Sequence, residues 1–82
     1  MNDVRITIYA DFCNCDVHGR IRLTTNGTLK DLEKLGEELK EGMPVHLSDG
    51  ELEGDGVVTY SDDEKIWVAV VHWSDVQQIA PL

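Results

Sequence analysis

The chain has 82 residues, 41% of them hydrophobic, and a formal net charge of −9. This length predicts a single domain over residues 1–82, and the composition is that of a globular protein and not of a disordered one. The acidic balance disfavours direct binding to nucleic acid, because no basic stripe is present to neutralise phosphates.

The sequence shows no sign of membrane insertion or export. Its longest apolar run, residues 66–71, is far shorter than the roughly 20 residues that a membrane-spanning helix needs. The start of the chain, Met1-Asn2-Asp3, lacks the basic and apolar regions of a secretory leader. We therefore expect a cytoplasmic protein that does not bind membranes.

Two stretches near the start alternate between apolar and polar residues, as half-buried β-strands do. The first covers residues 4–12 and the second residues 17–25, and residues 13–16 form a turn between them. In the antiparallel register that this turn sets, Ile8 faces Ile21 and Phe12 faces Val17. The pattern predicts a β-hairpin whose apolar side chains share one face.

An amphipathic helix is predicted over residues 28–41, with Thr28 as its N-cap. Gly42 is the expected C-cap, and Gly36 is expected to let the helix pack closely on the sheet. Four leucines at helical spacing form the apolar stripe that should face the core, namely Leu29, Leu32, Leu35 and Leu39.

Alternating apolar residues predict a third strand at 43–48, which the turn signal Asp49-Gly50 ends. Two β-rich runs then follow, residues 57–61 and 66–71, separated by a polar four-residue turn. This spacing places Tyr60 opposite Trp67, an aromatic cross-strand pair. The unbroken apolar composition of the second run predicts burial on both faces.

Together these elements predict an α+β domain with a curled, five-stranded antiparallel sheet and one amphipathic helix. The order is ββαβββ, followed by a short C-terminal helical turn that begins at Ser74. The second half, with Gly56-Val57-Val58, a polar turn, Ile66-Trp67-Val68-Ala69 and a final helical turn, resembles the strand pattern of small SH3-like barrels. That resemblance implies a tendency towards barrel closure and implies no particular function.

A candidate metal site lies at the tip of the predicted first hairpin, in the pattern Cys13-x-Cys15-x-x-His18. Zinc takes four N, S or O ligands in a tetrahedron, and these residues would supply three of them. The single residue between the cysteines is shorter than the usual spacer of structural zinc sites, so an exposed turn with incidental cysteines is the competing interpretation. The fourth ligand would come from Asp11, Asp16, His46 or His72.

The acidic residues are concentrated in residues 42–64, which hold seven acidic residues and no lysine or arginine. They fall in two loops, 49–55 and 62–64, on either side of a predicted strand of about 17 Å. We expect these loops to dock a basic protein partner. The residues concerned are Asp49, Glu51, Glu53, Asp55, Asp62, Asp63 and Glu64. The competing interpretation is charge that serves solubility alone.

Of the two tryptophans, Trp67 should lie in the core, whereas Trp73 at a strand end is the better surface anchor for a partner. The cysteine, histidine and aspartate at the hairpin tip lack nearby oxyanion donors, so we expect no enzymatic activity. The sequence therefore favours a small acidic interaction module without a cofactor. The alternatives are a zinc-binding protein and an inhibitor that imitates nucleic-acid phosphates.

Overall fold

A computed structural model of the chain describes residues 5–79. It shows an α+β fold in which a six-stranded mixed sheet is accompanied by one α-helix. In chain order the elements are β1 (Ile6–Tyr9), β2 (Ile21–Arg22), α1 (Asn26–Leu35), β3 (Pro44–Ser48), β4 (Leu52–Ser61), β5 (Ile66–Val71), a 3₁₀ turn (Trp73–Asp75) and β6 (Gln77–Gln78).

The strands are ordered β1-β3-β4-β5-β2, and β6 pairs with the start of β4. Four of the five pairings are antiparallel, whereas β1 and β3 run parallel, with Ile8 opposite Leu47. The predicted all-antiparallel sheet of five strands is therefore wrong. The chain between β1 and β3 contains the helix, the kind of crossover that parallel neighbours need. Within residues 5–79 the edge strands β1 and β2 do not pair, so the sheet is not closed into the barrel that the second half resembled.

The predicted first hairpin is wrong because β1 pairs with β3 and β2 pairs with β5, so the two stretches do not pair with each other. The chain between them turns twice, at Asp11–Asn14 and at Asp16–Gly19. The N–H of Gly19 donates to the carbonyl oxygen of Asp16 at 3.0 Å, which closes a turn with glycine at its favoured fourth position. Cys15 and Ile21 then form an isolated bridge instead of a long ladder. Val17, predicted to face Phe12, is 91% exposed.

Apart from Val17, the alternation predicted most of the early side chains that are buried. The core lies on one face of the sheet and consists of Ile8, Ala10, Phe12, Ile21, Leu23, Leu32, Val45, Leu47, Val58, Ala69 and Val71. The predicted third strand is also confirmed, with Val45 and Leu47 buried, although it begins one residue later, at Pro44.

The long hairpin forms in the predicted register, with Tyr60 opposite Trp67 and Ser61 opposite Ile66. The two rings meet edge to face, with centroids 5.1 Å apart. Burial on both faces of β5 holds only in part: Val68 is fully buried, whereas Val70 is 45% exposed beside its cross-strand neighbour Val57.

The helix begins and ends earlier than predicted. Thr25 is its N-cap, and its hydroxyl oxygen accepts a hydrogen bond from the N–H of Thr28. Gly36 ends it in the left-handed conformation, with φ of 67°, where glycine avoids the penalty that a side chain would bring. The predicted close packing of Gly36 is wrong, since a Cβ there would meet nothing within 4 Å.

The start of the helix is fastened to the edge strand β1. The carboxylate of Asp31 accepts a hydrogen bond from the N–H of Tyr9 at 2.8 Å, and the hydroxyl of Thr28 donates to the carbonyl oxygen of the same residue. These contacts occupy polar groups that an edge strand would otherwise leave open to another chain.

The predicted C-terminal helix is only the 3₁₀ turn Trp73–Asp75. Among residues 5–79, no helix is long and apolar enough to cross a membrane.

Candidate functional site

The structure places the two acidic loops farther apart than the strand of about 17 Å that the sequence predicted. Strand β4 spans ten residues, from Leu52 to Ser61, and not the five predicted. At about 3.3 Å per residue the turns at its two ends lie roughly 30 Å apart. A single small contact surface therefore does not include both loops.

Most of the acidic side chains in the loop 49–55 already have partners within the chain. Asp49 accepts hydrogen bonds from the N–H groups of Glu51 and Leu52, at 2.8 and 2.7 Å, and so shapes its own turn. Glu53 and Asp55 contact His46. Of the four acidic residues predicted here, only the side chain of Glu51 makes no hydrogen bond or ion pair within residues 5–79.

His46 lies between two carboxylates on the outer face of the sheet. Its Nδ1 is 2.9 Å from Asp55 Oδ1 and its Nε2 is 3.1 Å from Glu53 Oε1. The hydrogen bond with Asp55 raises the pKa of His46, helped by Glu53 and opposed by partial burial. The same hydrogen bond lowers the pKa of Asp55, and the guanidinium of Arg5, 3.9 Å away, acts in the same direction. The group holds β3 and β4 together.

In the second acidic loop, Glu64 is also engaged. Its two carboxylate oxygens accept hydrogen bonds from Arg22 at 2.7 and 2.8 Å, which lowers the pKa of the carboxyl group. Asp62 and Asp63 differ, because both are exposed and their side chains make no hydrogen bond or ion pair with the rest of residues 5–79. They are the carboxylates of this loop that remain open to a partner.

Trp73 does not project freely as a partner anchor would. Its indole N–H donates to the carbonyl oxygen of Gly19 at 3.1 Å, and its ring meets Phe12 edge to face at a centroid distance of 6.2 Å. The side chain is 44% exposed, so part of the ring still faces solvent. These contacts give Trp73 a structural role in holding the loop 16–20.

An open apolar pocket, here called the helix pocket, lies between α1 and the start of β5 and has a volume of about 480 Å³. Its apolar lining comprises Leu23, Leu29, Leu32, Leu39, Ile66 and Trp67, and Thr24, Glu37 and Glu38 complete the wall. Ile66 directly follows the turn that carries Asp62 and Asp63, so the helix pocket and this acidic turn occupy the same end of the molecule. We call the four carboxylates of Glu37, Glu38, Asp62 and Asp63 the acidic end.

This pocket is not predicted from the sequence, because the spacing of the four leucines predicts that all of them face the core. In fact only Leu32 is buried, whereas Leu29 is 52% and Leu35 is 48% exposed. Gly36 is the one residue in the sequence that indicates a shorter helix, because glycine is a common C-cap and would end the helix before Glu37.

The predicted zinc ligands do not converge. Cys13 is exposed, and the thiol of Cys15 donates to the carbonyl oxygen of Phe12 at 3.5 Å. Burial, followed by the charge of Asp16, raises the pKa of Cys15 and so keeps its thiol protonated at neutral pH. Across residues 5–79, no three His, Cys, Asp or Glu side chains are placed to hold a metal ion, so the zinc prediction based on Cys13, Cys15 and His18 gains no geometric support.

The two aspartates near the cysteines serve the backbone instead. Asp11 accepts a hydrogen bond from the N–H of Cys13 at 2.9 Å. Asp16 is buried, which disfavours its charge, but hydrogen bonds from the backbone and side chain of Arg20 and from the N–H of His18 lower its pKa overall. Both carboxylates shape the loop 11–20.

The chain was compared with models of known protein families, with curated protein sequences and with solved structures, and no match was found in any of the three comparisons.

Proposed function

We propose that the chain is a small interaction module that binds a basic protein partner through the acidic end. The observation that supports this most directly is the open helix pocket, whose wall includes Glu37 and Glu38 and whose Ile66 follows the turn that holds Asp62 and Asp63. Concave apolar sites with a few polar groups are the usual form of binding sites.

The distribution of internal ion pairs supports the same location. All three arginines pair with acidic side chains of the chain itself: Arg5 with Asp55, Arg20 with Asp16, and Arg22 with Glu64. The four carboxylates of the acidic end have no such partner among residues 5–79. Lys65 is the one basic residue in the turn. A partner that brings lysine or arginine side chains would neutralise this local excess of negative charge.

This proposal moves the binding surface relative to the sequence-based prediction. It keeps Asp62 and Asp63, and it omits Glu53, Asp55 and Glu64, whose carboxylates bind His46 or Arg22. Inhibition by imitation of nucleic acid stays a prediction that rests on the net charge alone.

The proposal is tested by selecting random 12-residue peptides from a display library on the immobilised full chain. We expect the enriched peptides to be rich in lysine and arginine and to weaken with added salt, because exposed charges are screened over about 10 Å at 0.1 M. The double variant Asp62→Asn/Asp63→Asn should lose most of this binding.

A matched control removes the same charge elsewhere. Glu51→Gln/Asp75→Asn also replaces two exposed acidic residues, but away from the acidic end. It should retain the selected peptides. Enrichment of neutral or acidic peptides, or equal losses in the two double variants, would count against the proposal.

A further inference from the structure

The helix pocket contains apolar surface that the chain itself does not cover. Two of the four predicted core leucines, Leu29 and Leu35, lie on the ten-residue helix and are about half exposed. Of these two, Leu29 lines the pocket. A single exposed leucine is ordinary on a protein surface, but concave apolar surface of this kind is typical of recognition sites. The pocket volume of about 480 Å³ lies within the range of sites that bury a ligand-sized group.

The far wall of the pocket is held firmly in place. Trp67 lies in the regular part of the β4–β5 hairpin, where it packs edge to face against Tyr60 at 5.1 Å. The N–H of Leu23 also donates to the carbonyl oxygen of Trp67 at 3.0 Å. These contacts keep the pocket formed before any partner arrives, which lowers the entropic cost of binding.

The charges around the pocket restrict what can enter it. Glu37 and Glu38 are part of its wall, and Asp62 and Asp63 precede Ile66 in the adjoining turn. An apolar group that carried its own negative charge would be repelled by the carboxylates of Glu37 and Glu38 in the wall. An apolar group flanked by positive charge matches both the lining and the rim.

We propose that the helix pocket receives one large apolar side chain, such as phenylalanine, from a partner segment in which lysine or arginine residues lie beside it. This inference rests on the proposed function and identifies the anchor of the partner. The apolar side chain supplies the buried contact, and the basic neighbours face the acidic end. This arrangement follows the usual division of an interface into a buried anchor and a polar rim.

The test compares two capped peptides of equal charge, Lys-Lys-Phe-Lys-Lys and Lys-Lys-Ala-Lys-Lys, in NMR titrations of the full chain. The phenylalanine peptide should bind about tenfold more tightly, because burial of its ring adds to a charge attraction that the two peptides share. It should shift the indole N–H signal of Trp67 and leave that of Trp73 nearly unchanged, since only Trp67 lines the pocket. The ratio of the two affinities should persist at high salt while both affinities fall.

The helix offers a matched pair of variants. Leu29 and Leu35 are exposed to similar extents, 52% and 48%, but only Leu29 lines the pocket. We expect Leu29→Ser to abolish most of the preference for phenylalanine and Leu35→Ser to leave it unchanged. Thr24→Trp, which adds bulk to the wall without removing a leucine, should abolish the preference as well.

The outcomes separate this inference from the function on which it rests. If both peptides bind with affinities within a factor of two of each other and Trp67 does not respond, the pocket is not the anchor site, although basic binding stands. If neither peptide binds, the proposed function fails together with the inference. Equal effects of Leu29→Ser and Leu35→Ser would also overturn the pocket assignment.

Discussion

The guanidinium of Arg22 donates to both carboxylate oxygens of Glu64, at 2.7 and 2.8 Å, and so joins the edge strand β2 to the turn of the long hairpin. The same side chain donates to the carbonyl oxygen of Cys15 at 2.8 Å and to Asn14 Oδ1 at 3.0 Å. One residue therefore connects the loop 11–20, β2 and the turn between β4 and β5. Paired hydrogen bonds of this geometry need the planar fork of arginine.

Replacement of this fork should weaken the fold. We expect Arg22→Lys to lower the urea midpoint of unfolding, because a single ammonium group cannot serve Glu64, Cys15 and Asn14 at once. Arg5→Lys is the control, since Arg5 approaches Asp55 only to 3.9 Å. The prediction fails if the two variants shift the midpoint equally.

The contacts of His46 predict a dependence of stability on pH. Because its folded pKa is raised, His46 contributes fully below the unfolded value of about 6.5 and loses this contribution as the pH rises through the folded pKa. Asp55, whose pKa is lowered, contributes above about pH 3.9 and loses its contribution as the pH falls through the folded pKa. The pair should therefore stabilise the fold most between about pH 4 and 6.5.

This dependence is measurable as the free energy of unfolding at pH 5.5 and at pH 8.5. The wild-type chain should lose stability on the alkaline side by an amount below about 1 kcal/mol, the range of partly exposed ion pairs. His46→Gln should remove most of this loss, and His18→Gln, at an exposed histidine, should not. An unchanged pH profile for His46→Gln would contradict the assignment.

Gly27 allows Tyr9 to lie against the start of the helix. A Cβ at this position would come within 2.7 Å of Tyr9 Cδ1 and 2.9 Å of its Cγ, which requires a shift. Alanine normally stabilises a helix by about 1 kcal/mol relative to glycine, whereas overpacking costs about 1–3 kcal/mol. We expect Gly27→Ala to destabilise the wild-type chain in urea unfolding.

The effect of Gly27→Ala on stability should change sign when the ring of Tyr9 is removed. In a Tyr9→Ala background, Gly27→Ala should be neutral or stabilising, because only the helix propensity then remains. Equal destabilisation in both backgrounds would show that the contact with Tyr9 is not the cause.

Trp73 provides a test between a structural role and the partner-binding role predicted from the sequence. Trp73→Phe removes the hydrogen bond to Gly19 and keeps a ring for Phe12, so it should lower the free energy of unfolding by about 0.5–1.5 kcal/mol. Trp73→Ala should lower it further. Both variants should bind the basic peptides with affinities within a factor of two of the wild-type affinity. A larger loss of affinity without a loss of stability would show that Trp73 contacts the partner.

Much of the core and one hairpin could be predicted from the sequence, because they depend on local pattern. Alternation identifies the inward face of a strand whatever its partner, and Ile8, Ile21 and Leu47 are accordingly buried. The four-residue turn and the β-rich runs on both sides of it determine the register of Tyr60 with Trp67, since both strands are adjacent in the chain.

The early errors have two physical causes. β1 and β2 pair with the distant strands β3 and β5 and not with each other, and the carboxylate of Asp16 accepts hydrogen bonds from the N–H groups of His18 and Arg20 in the loop between them. The helix ended at Leu35 because Gly36 adopts the left-handed conformation that closes a helix. Gly36 is visible in the sequence as a C-cap, whereas the pairing of β1 and β2 depends on distant parts of the chain.

The sequence by itself thus determined the inward face of the strands, the long hairpin and the acidic balance of the chain. Only the tertiary structure decided the parallel pairing of β1 with β3, the full length of the strand between the two acidic loops and the helix pocket. It also decided which carboxylates are used internally, since Glu64 meets Arg22 from 42 residues away while Asp62 and Asp63 find no partner among residues 5–79. The physical reason is that residue periodicity reports which side of a strand or helix is apolar, whereas pairing and pockets depend on contacts between distant parts of the chain.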